Sequence, residues 1–429
     1  MSNITWVNHA SFIFKNNDTR ILIDPWLFGT AFNNGWCLQK ATILTDSELK
    51  KITHIWISHE HPDHFHVPSL KHIANINNKI TILYQETKDK RVINFCKKLG
   101  FKITELSDHK YYKINEKLKI KIGRVPFYDS WILIESEDLR ILNLNDCVLK
   151  SSEQYKSLKK IIGKIDVLMV QFGYAQWEGN EDDVIKQKNA AKEKLYRLNV
   201  AVNVLEPKFT IPHASFFRFC HSENEYLNKH NNSVVNAVDL INSKTSSIPI
   251  VLKPGQIWDC KNKQNIKEQI TFYENEVNFE KIKNLKNVSI NDLVKSWTNY
   301  SIRLQNNNNK YFINILKFVR IIPDLEFYIS DLKKVVKLRH GKKLIFINDK
   351  FKLNKHVKIS SDSLLFIFNN DFGFDTLMVN GRFVSNSDNY KKMFRAFAIG
   401  SLNNMGLRLN ISLLGNWPII KRAIQKILS

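Results

Sequence analysis

The densest chemistry in this sequence lies in Ser58-His59-Glu60-His61-Pro62-Asp63-His64. Three histidines and two carboxylates fall within six residues there. Imidazole and carboxylate together bind zinc or iron rather than hard cations. The cluster directly follows the β-rich run Thr53-His54-Ile55-Trp56-Ile57-Ser58, and a loop leaving a strand end can turn several side chains into one cavity. His59, His61, Asp63 and His64 are therefore candidate ligands for one or two divalent ions, Zn or Fe. The plain alternative is a histidine-rich surface loop, against which the spacing H-x-H-x-D-H behind a buried strand argues. Ionised beside a metal, Asp63 would serve as a ligand or as the catalytic base handling a nucleophilic water.

Such a loop needs a layered scaffold, and residues 1–260 carry its pattern. Short strands are expected at 11–14 and 20–23 around a turn, then at 53–58, 80–84, 118–125, 131–135, 140–144 and 167–171. Helices are expected at 69–76, after Pro68, and at 181–198, which has an acidic first turn and a basic last one. Strands and helices mixed in this order describe an α/β (α+β) core. Residues 261–310 read as a polar, helical linker ending in the low-complexity stretch Gln305–Asn309. Residues 311–429 read as a smaller, basic α+β domain with strands at 343–347, 363–368 and 376–379. A tight Asn380-Gly381 turn and a short amphipathic helix at 417–428 complete it.

Four further stretches make the cluster part of a pattern. They are Trp6-Val7-Asn8-His9-Ala10-Ser11, Ile23-Asp24-Pro25-Trp26, Asn143-Leu144-Asn145-Asp146-Cys147 and Ile211-Pro212-His213-Ala214-Ser215-Phe216. With H-x-H-x-D-H they resemble, in order and spacing, the metallo-β-lactamase-fold superfamily, the first stretch resembling its lactonase and phospholipase-D-like branch. Leu27–Phe32, Gly35–Leu38, Phe217, His221–Tyr226 and Lys253-Pro254-Gly255 are similar to the hydrolase-fold part of the CMP-N-acetylneuraminate hydroxylase family. The resemblance implies a four-layer αββα sandwich over residues 1–260. It implies one metal on His59 and His61, a second on Asp63 and His64, Asp146 bridging them, and His213 as the last ligand. It places His9 beneath the site and makes Asp24 an orienter of ligand histidines. One departure stands out: the family's third histidine on the first metal is missing from residues 123–131, where Asp129 or water would take its place. His221 is read as a candidate catalytic residue facing substrate, with a solvated loop as the alternative. The hydroxylase family also carries a Rieske cluster on two Cys and two His; no such pattern stands in this sequence, so no built-in cluster is expected.

The implied chemistry is metal-bound hydroxide acting on an ester, lactone, amide or phosphodiester. An anionic small-molecule substrate, bearing sugar, nucleotide or phosphate, is expected. An iron-dependent oxygenase related to the hydroxylase family is the alternative reading, and a basic binding protein with a degenerate metal site is the third. No G-x-S-x-G, phosphate-cradling G-x-x-x-x-G-K-[ST] or dinucleotide G-x-G-x-x-G loop is present. The five cysteines are scattered, the N-terminus has no signal-peptide pattern and no apolar run reaches membrane-spanning length. A cytoplasmic protein is expected, with peripheral membrane contact allowed.

The net charge of +23 is uneven. Residues 261–429 hold 29 Lys and Arg against 13 Asp and Glu, a net of +16, which leaves +7 for residues 1–260. Lysines crowd residues 331–358. The bland account is a solvated surface in a Lys- and Asn-rich composition; the functional ones are attraction of an anionic substrate and docking on an anionic membrane surface. Nucleic acid is disfavoured, because no interleaved aromatic–basic motif or known binding module is present.

Overall fold

The computed structural model describes residues 2–125, 129–275, 281–283, 288–404 and 406–410. Two mixed seven-stranded sheets face each other. The first runs in the order Ile257–Trp258, Ser2–Asn8, Ser11–Asn16, Thr19–Ile23, His54–Ile57, Thr81–Gln85, Lys102–Leu106. The second runs Ile248–Pro249, Phe209–His213, Val167–Gln171, Leu139–Asn143, Ser130–Ser136, Leu118–Arg124, Tyr111–Asn115.

Side-chain alternation assigns the layers. Phe12, Phe14, Ile21 and Ile23 join the core between the sheets, with Ile132, Ile134, Ile141 and Val167 from the second sheet. Ile13, Leu22 and Ile55 point the other way, onto Leu70 and Ile73 of helix Val67–Ile76 and Val92 and Ile93 of helix Arg91–Lys98. Helices Ser152–Ile162, Val184–Leu205 and Val234–Lys244 cover the second sheet. The result is the αββα sandwich.

A second hydrophobic core gathers residues from 288 onward, and Trp177 reaches into it from the first part of the chain. It contains a five-stranded sheet ordered Ile345–Ile347, Lys334–Leu338, Leu325–Ile329, Val357–Ile359, Phe383–Val384. Two expected strands are helices instead: Ser361–Asn369 and Gly373–Asn380. Their apolar runs are buried on several sides, so they lack the polar stripe that distinguishes a helix from a strand. The Asp331 carboxylate caps the first of them, accepting from the Ser361 backbone N–H at 2.8 Å. Asn380-Gly381 makes no hairpin: Gly381, at φ 67°, ends the second helix in the left-handed conformation. The stretch 261–310 supplies helix Lys267–Glu274 to the first core and Ile290–Asn307 to the second. Asn309 caps the next helix, Lys310–Phe318, accepting from Tyr311 N–H at 2.9 Å. The amphipathic helix expected at 417–428 lies outside the described residues. No helix of the described residues is long and apolar enough to cross a membrane.

Candidate metal centre

Strand His54–Ile57 ends at Ser58, and the loop behind it folds back beneath the sheet edge. The buried Asp24 organises this turn. Its carboxylate accepts from the Ser58 backbone N–H (2.7 Å), the Ser58 hydroxyl (2.8 Å) and the Asn145 amide (2.6 Å). The fourth partner is His64 Nδ1 at 2.9 Å, which leaves Nε2 as the nitrogen turned to the site.

Three overlapping groups of potential ligand atoms converge there. His59, His61 and Asp129 form one; His59, His64 and Asp146 a second; His9, Asp63 and His64 a third. His59 Nε2 lies 3.8 Å from Asp129 Oδ1, 3.7 Å from Asp146 Oδ2 and 2.7 Å from His61 Nδ1. His64 Nε2 lies 3.7 Å from the same Asp146 oxygen and 3.1 Å from Asp63 Oδ2. Asp146 thus stands midway between the two histidines, the place a bridging carboxylate takes. Asp129, from the stretch that lacks the expected third histidine, groups with His59 and His61.

Two expected residues fall outside these groups. The His213 ring is outside all three groups, edge-on to Trp6 at 5.4 Å and Phe12 at 5.8 Å. His221 does not face the cavity described below. It is buried at 1 % exposure, and its Nδ1 accepts from the Glu223 backbone N–H at 3.1 Å. That bond holds the loop whose Glu223 pairs with Arg382 at 2.8 Å, so its role as a catalytic residue is corrected to a structural one. His9, placed beneath the site by the sequence pattern, hydrogen-bonds Asp63 Oδ2 through Nε2 at 3.2 Å.

The electrostatics fit cations. Burial drives His59 down to about 3, against the pull of Asp146, so it is a neutral ligand at ordinary pH. Burial would raise the Asp63 carboxyl, yet His64 and His9 outweigh it and hold it well below the usual range. Asp129 is pushed up by burial and by the like charge of Asp146, a repulsion that a cation between them relieves. Several buried atoms have no partner in hydrogen-bonding geometry: His64 Nε2, Asp63 Oδ1, Asp146 Oδ1 and both ring nitrogens of His213. The Ala10 backbone also lies against the His213 ring. Orphaned lone pairs concentrated in one spot are costly unless an ion takes them. The backbone agrees: His9, Asp24, Asn145 and Ala214 all have positive φ around this point, the kind of strain that collects at functional sites.

His61, Asp63, Asp129 and Asp146 form one end of a cavity of about 1320 Å³. Lys186, Lys194 and Arg197 of helix Val184–Leu205 line another wall, and Asn386, Tyr390 and Lys391 close it from the second core. Lys194 donates to Gln171 Oε1 at 2.7 Å, and burial lowers its ammonium to about 8. Trp177 stacks on Tyr390 at 4.9 Å across the junction. None of these wall residues was singled out as polar site groups by the sequence. The spacing of Lys186, Lys194 and Arg197 on one helix face was the signal available; Tyr390 and Lys391 carry none.

Residues 3–213 match the model of the Beta-lactamase superfamily domain. The chain is 26% identical over 281 residues to a cytidine monophosphate-N-acetylneuraminic acid hydroxylase of Danio rerio, covering 60% of this chain and 46% of that protein. The Mus musculus hydroxylase is also 26% identical, over 275 residues, with the same two coverages. The chain thus spans about half the length of these curated relatives. Among solved structures, CmlA, a diiron beta-hydroxylase from Streptomyces venezuelae, superposes with a TM-score of 0.43 at 16% identity, over 60% of this chain and 54% of that one. Residues 3–213 are thus those of a Beta-lactamase superfamily domain by their match, and the chain is related in sequence to the CMP-N-acetylneuraminic acid hydroxylases.

Proposed function

We propose that this protein is a metal-dependent hydrolase of an anionic small molecule carrying a sugar, nucleotide or phosphate. One observation carries the reading: the convergence of His59, His61, His64, Asp63, Asp129 and Asp146 at the end of a cavity whose other wall offers Lys186 and Lys194, with Arg197 paired to Glu193. His59, His61 and Asp129 would hold one ion, His64 and Asp63 a second, with Asp146 between them. A bound divalent ion supplies an activated water, with a pKa near ~7, and polarises a substrate oxygen. The chain does the rest. Asp24 fixes the His64 tautomer, and His9 keeps Asp63 ionised to take the proton of an attacking water. Lys194 donates to the neutral Gln171 at the cavity wall, with Glu178 and Glu193 near it, and its ammonium would meet a substrate anion there. Tyr390 and Lys391 narrow the entrance.

A second reading is favoured by a specific observation. With Asp129 in place of a histidine, the first ligand set is two histidines and one carboxylate, which suits non-haem iron and oxygen chemistry. The relation to CMP-N-acetylneuraminic acid hydroxylases points the same way. Metal analysis of the purified protein, before and after dialysis against Zn(II) or anaerobic Fe(II), separates the readings. Zinc-loaded protein that cleaves a panel of phosphodiesters, lactones and esters supports hydrolysis. Iron-loaded protein that consumes oxygen with an external reductant and CMP-N-acetylneuraminate supports oxygenation. Failure to retain either metal overturns both.

A further inference from the structure

Helix Lys310–Phe318 buries one face and leaves the other without a partner among the described residues. Ile313 is buried and Leu316 packs against the second core. On the opposite face Tyr311, Ile315 and Phe318 follow at intervals of four and three residues, the spacing of a single helical stripe. They are 67, 55 and 89% exposed, and Val319 and Ile321 extend the stripe at 52 and 45%. Phe318 is the most exposed large hydrophobic side chain among the described residues.

The rim of this stripe is basic. Lys310, Lys317 and Arg320 border it, and Lys317 Nζ lies 3.5 Å from where a Cβ on Gly341 would stand. That contact brings the loop containing Lys342 and Lys343 beside the helix. Residues 310–343 hold nine Lys and Arg against three Asp and Glu. Of the three acids, Asp324 already pairs with Arg339 and Glu326 with Lys337. An aromatic and aliphatic stripe bordered by uncompensated cations is the make-up of a helix that lies in an anionic lipid interface.

We infer that this face docks the protein on an anionic phospholipid surface. The chain's own residues 411–429 are the competing occupant, since they follow Leu409, whose carbonyl accepts from Asn309 N–H at 2.8 Å at the start of this helix. It contains Lys421, Arg422 and Lys426 and no Asp or Glu, so covering the stripe would set cations against cations. An anionic bilayer complements both. Nucleic acid would satisfy the lysines but leave Tyr311 and Phe318 in water. The inference does not rest on the metal-site reading, and its assay needs no turnover.

The full chain is to be floated with vesicles of phosphatidylglycerol and phosphatidylcholine, and with phosphatidylcholine alone. Retention on the anionic vesicles only, reduced by high salt, is expected. Phe318→Asp should weaken it by about tenfold or more, and Lys317→Glu with Lys342→Glu should do likewise. Phe318 and Lys342 are exposed and Lys317 is half-buried, and an unchanged thermal melt will show that the fold is intact. The inference is overturned if the wild type is not retained, or if Phe318→Asp binds as well as wild type. It is also overturned if deletion of residues 411–429 alone abolishes retention, or if duplex DNA is bound with no effect of Phe318→Asp on either ligand.

Discussion

Buried ionisable groups are treated differently in the two cores. In the first, Asp24, His59, Asp63, His64 and His213 are almost fully enclosed, and several of their atoms face one another without partners. In the second, Arg382 is just as buried, but Glu223, Asp362 and the Asn33 carbonyl receive its guanidinium. His340 donates through Nε2 to the Ala396 carbonyl at 2.7 Å. One region gathers several unpartnered atoms at a single point; the other leaves only scattered ones, such as His356 Nε2 and Arg395 Nε, and carries its excess charge outside. An interior deficit marks a ligand site and an exterior excess marks a surface, which is why the overall +23 is a poor guide to the metal centre.

The contrast breaks most sharply if the deficit is not a cation site. Asp146→Ala removes the carboxylate midway between His59 and His64. The expected outcome is loss of stoichiometric metal, read by elemental analysis after dialysis, with a C-terminal core that still melts cooperatively. Retention of full metal by this variant would mean that the groups around Asp63 and around Asp129 bind ions independently, and the bridging geometry would have to be abandoned.

The next largest effect tests the pairing inside the second core. Arg382→Met leaves Glu223 and Asp362 facing each other without their shared cation and frees the Asn33 carbonyl. Both acids keep some access to water, so the cost is discounted from the buried-pair range to about 2–3 kcal/mol. Chemical denaturation measures it. Because Arg382 ties the second core to the loop at Asn33, the two transitions should also separate in this variant. A single unchanged transition would show that the cores are coupled through Trp177 and Asn180 instead.

The same contrast explains what the sequence disclosed. His59 to His64 were legible because the loop itself carries the ligand spacing, and Asp24, Asp146 and His213 because each follows a β-rich run in a known order. Asp129 was visible as the replacement for a missing histidine. His213 shows the limit: the pattern located its strand end, while the packing of Trp6 and Phe12 decides where its ring points. His221 misled because a histidine beside Glu223 looks the same whether it turns to a cavity or to its own loop. The helices Ser361–Asn369 and Gly373–Asn380 were misread as strands since wholly buried apolar runs carry no period. Tyr390 and Lys391 had no local signal at all; they reach the cavity only through docking of one core on the other.

The smallest effect concerns a histidine whose hydrogen bond is already satisfied. Burial pushes the His340 imidazole down to about 4, whereas an unfolded chain takes a proton there near 6.5. Below pH 6.5 the unfolded state therefore binds the extra proton and the folded state does not. Its contribution is fully present above that pH and is lost as pH falls toward 4. Over the first one to two units of that fall the loss is about 1–2 kcal/mol. Trp297, whose ring centroid lies 5.4 Å from that of His340, offers a fluorescence readout of this core. His340→Gln keeps a donor for the Ala396 carbonyl but cannot titrate, so its stability should fall less steeply than wild type between pH 6.5 and 5. Identical slopes for the two proteins would mean that the second core yields to acid through another group, and that its interior is less complete than its hydrogen bonds suggest.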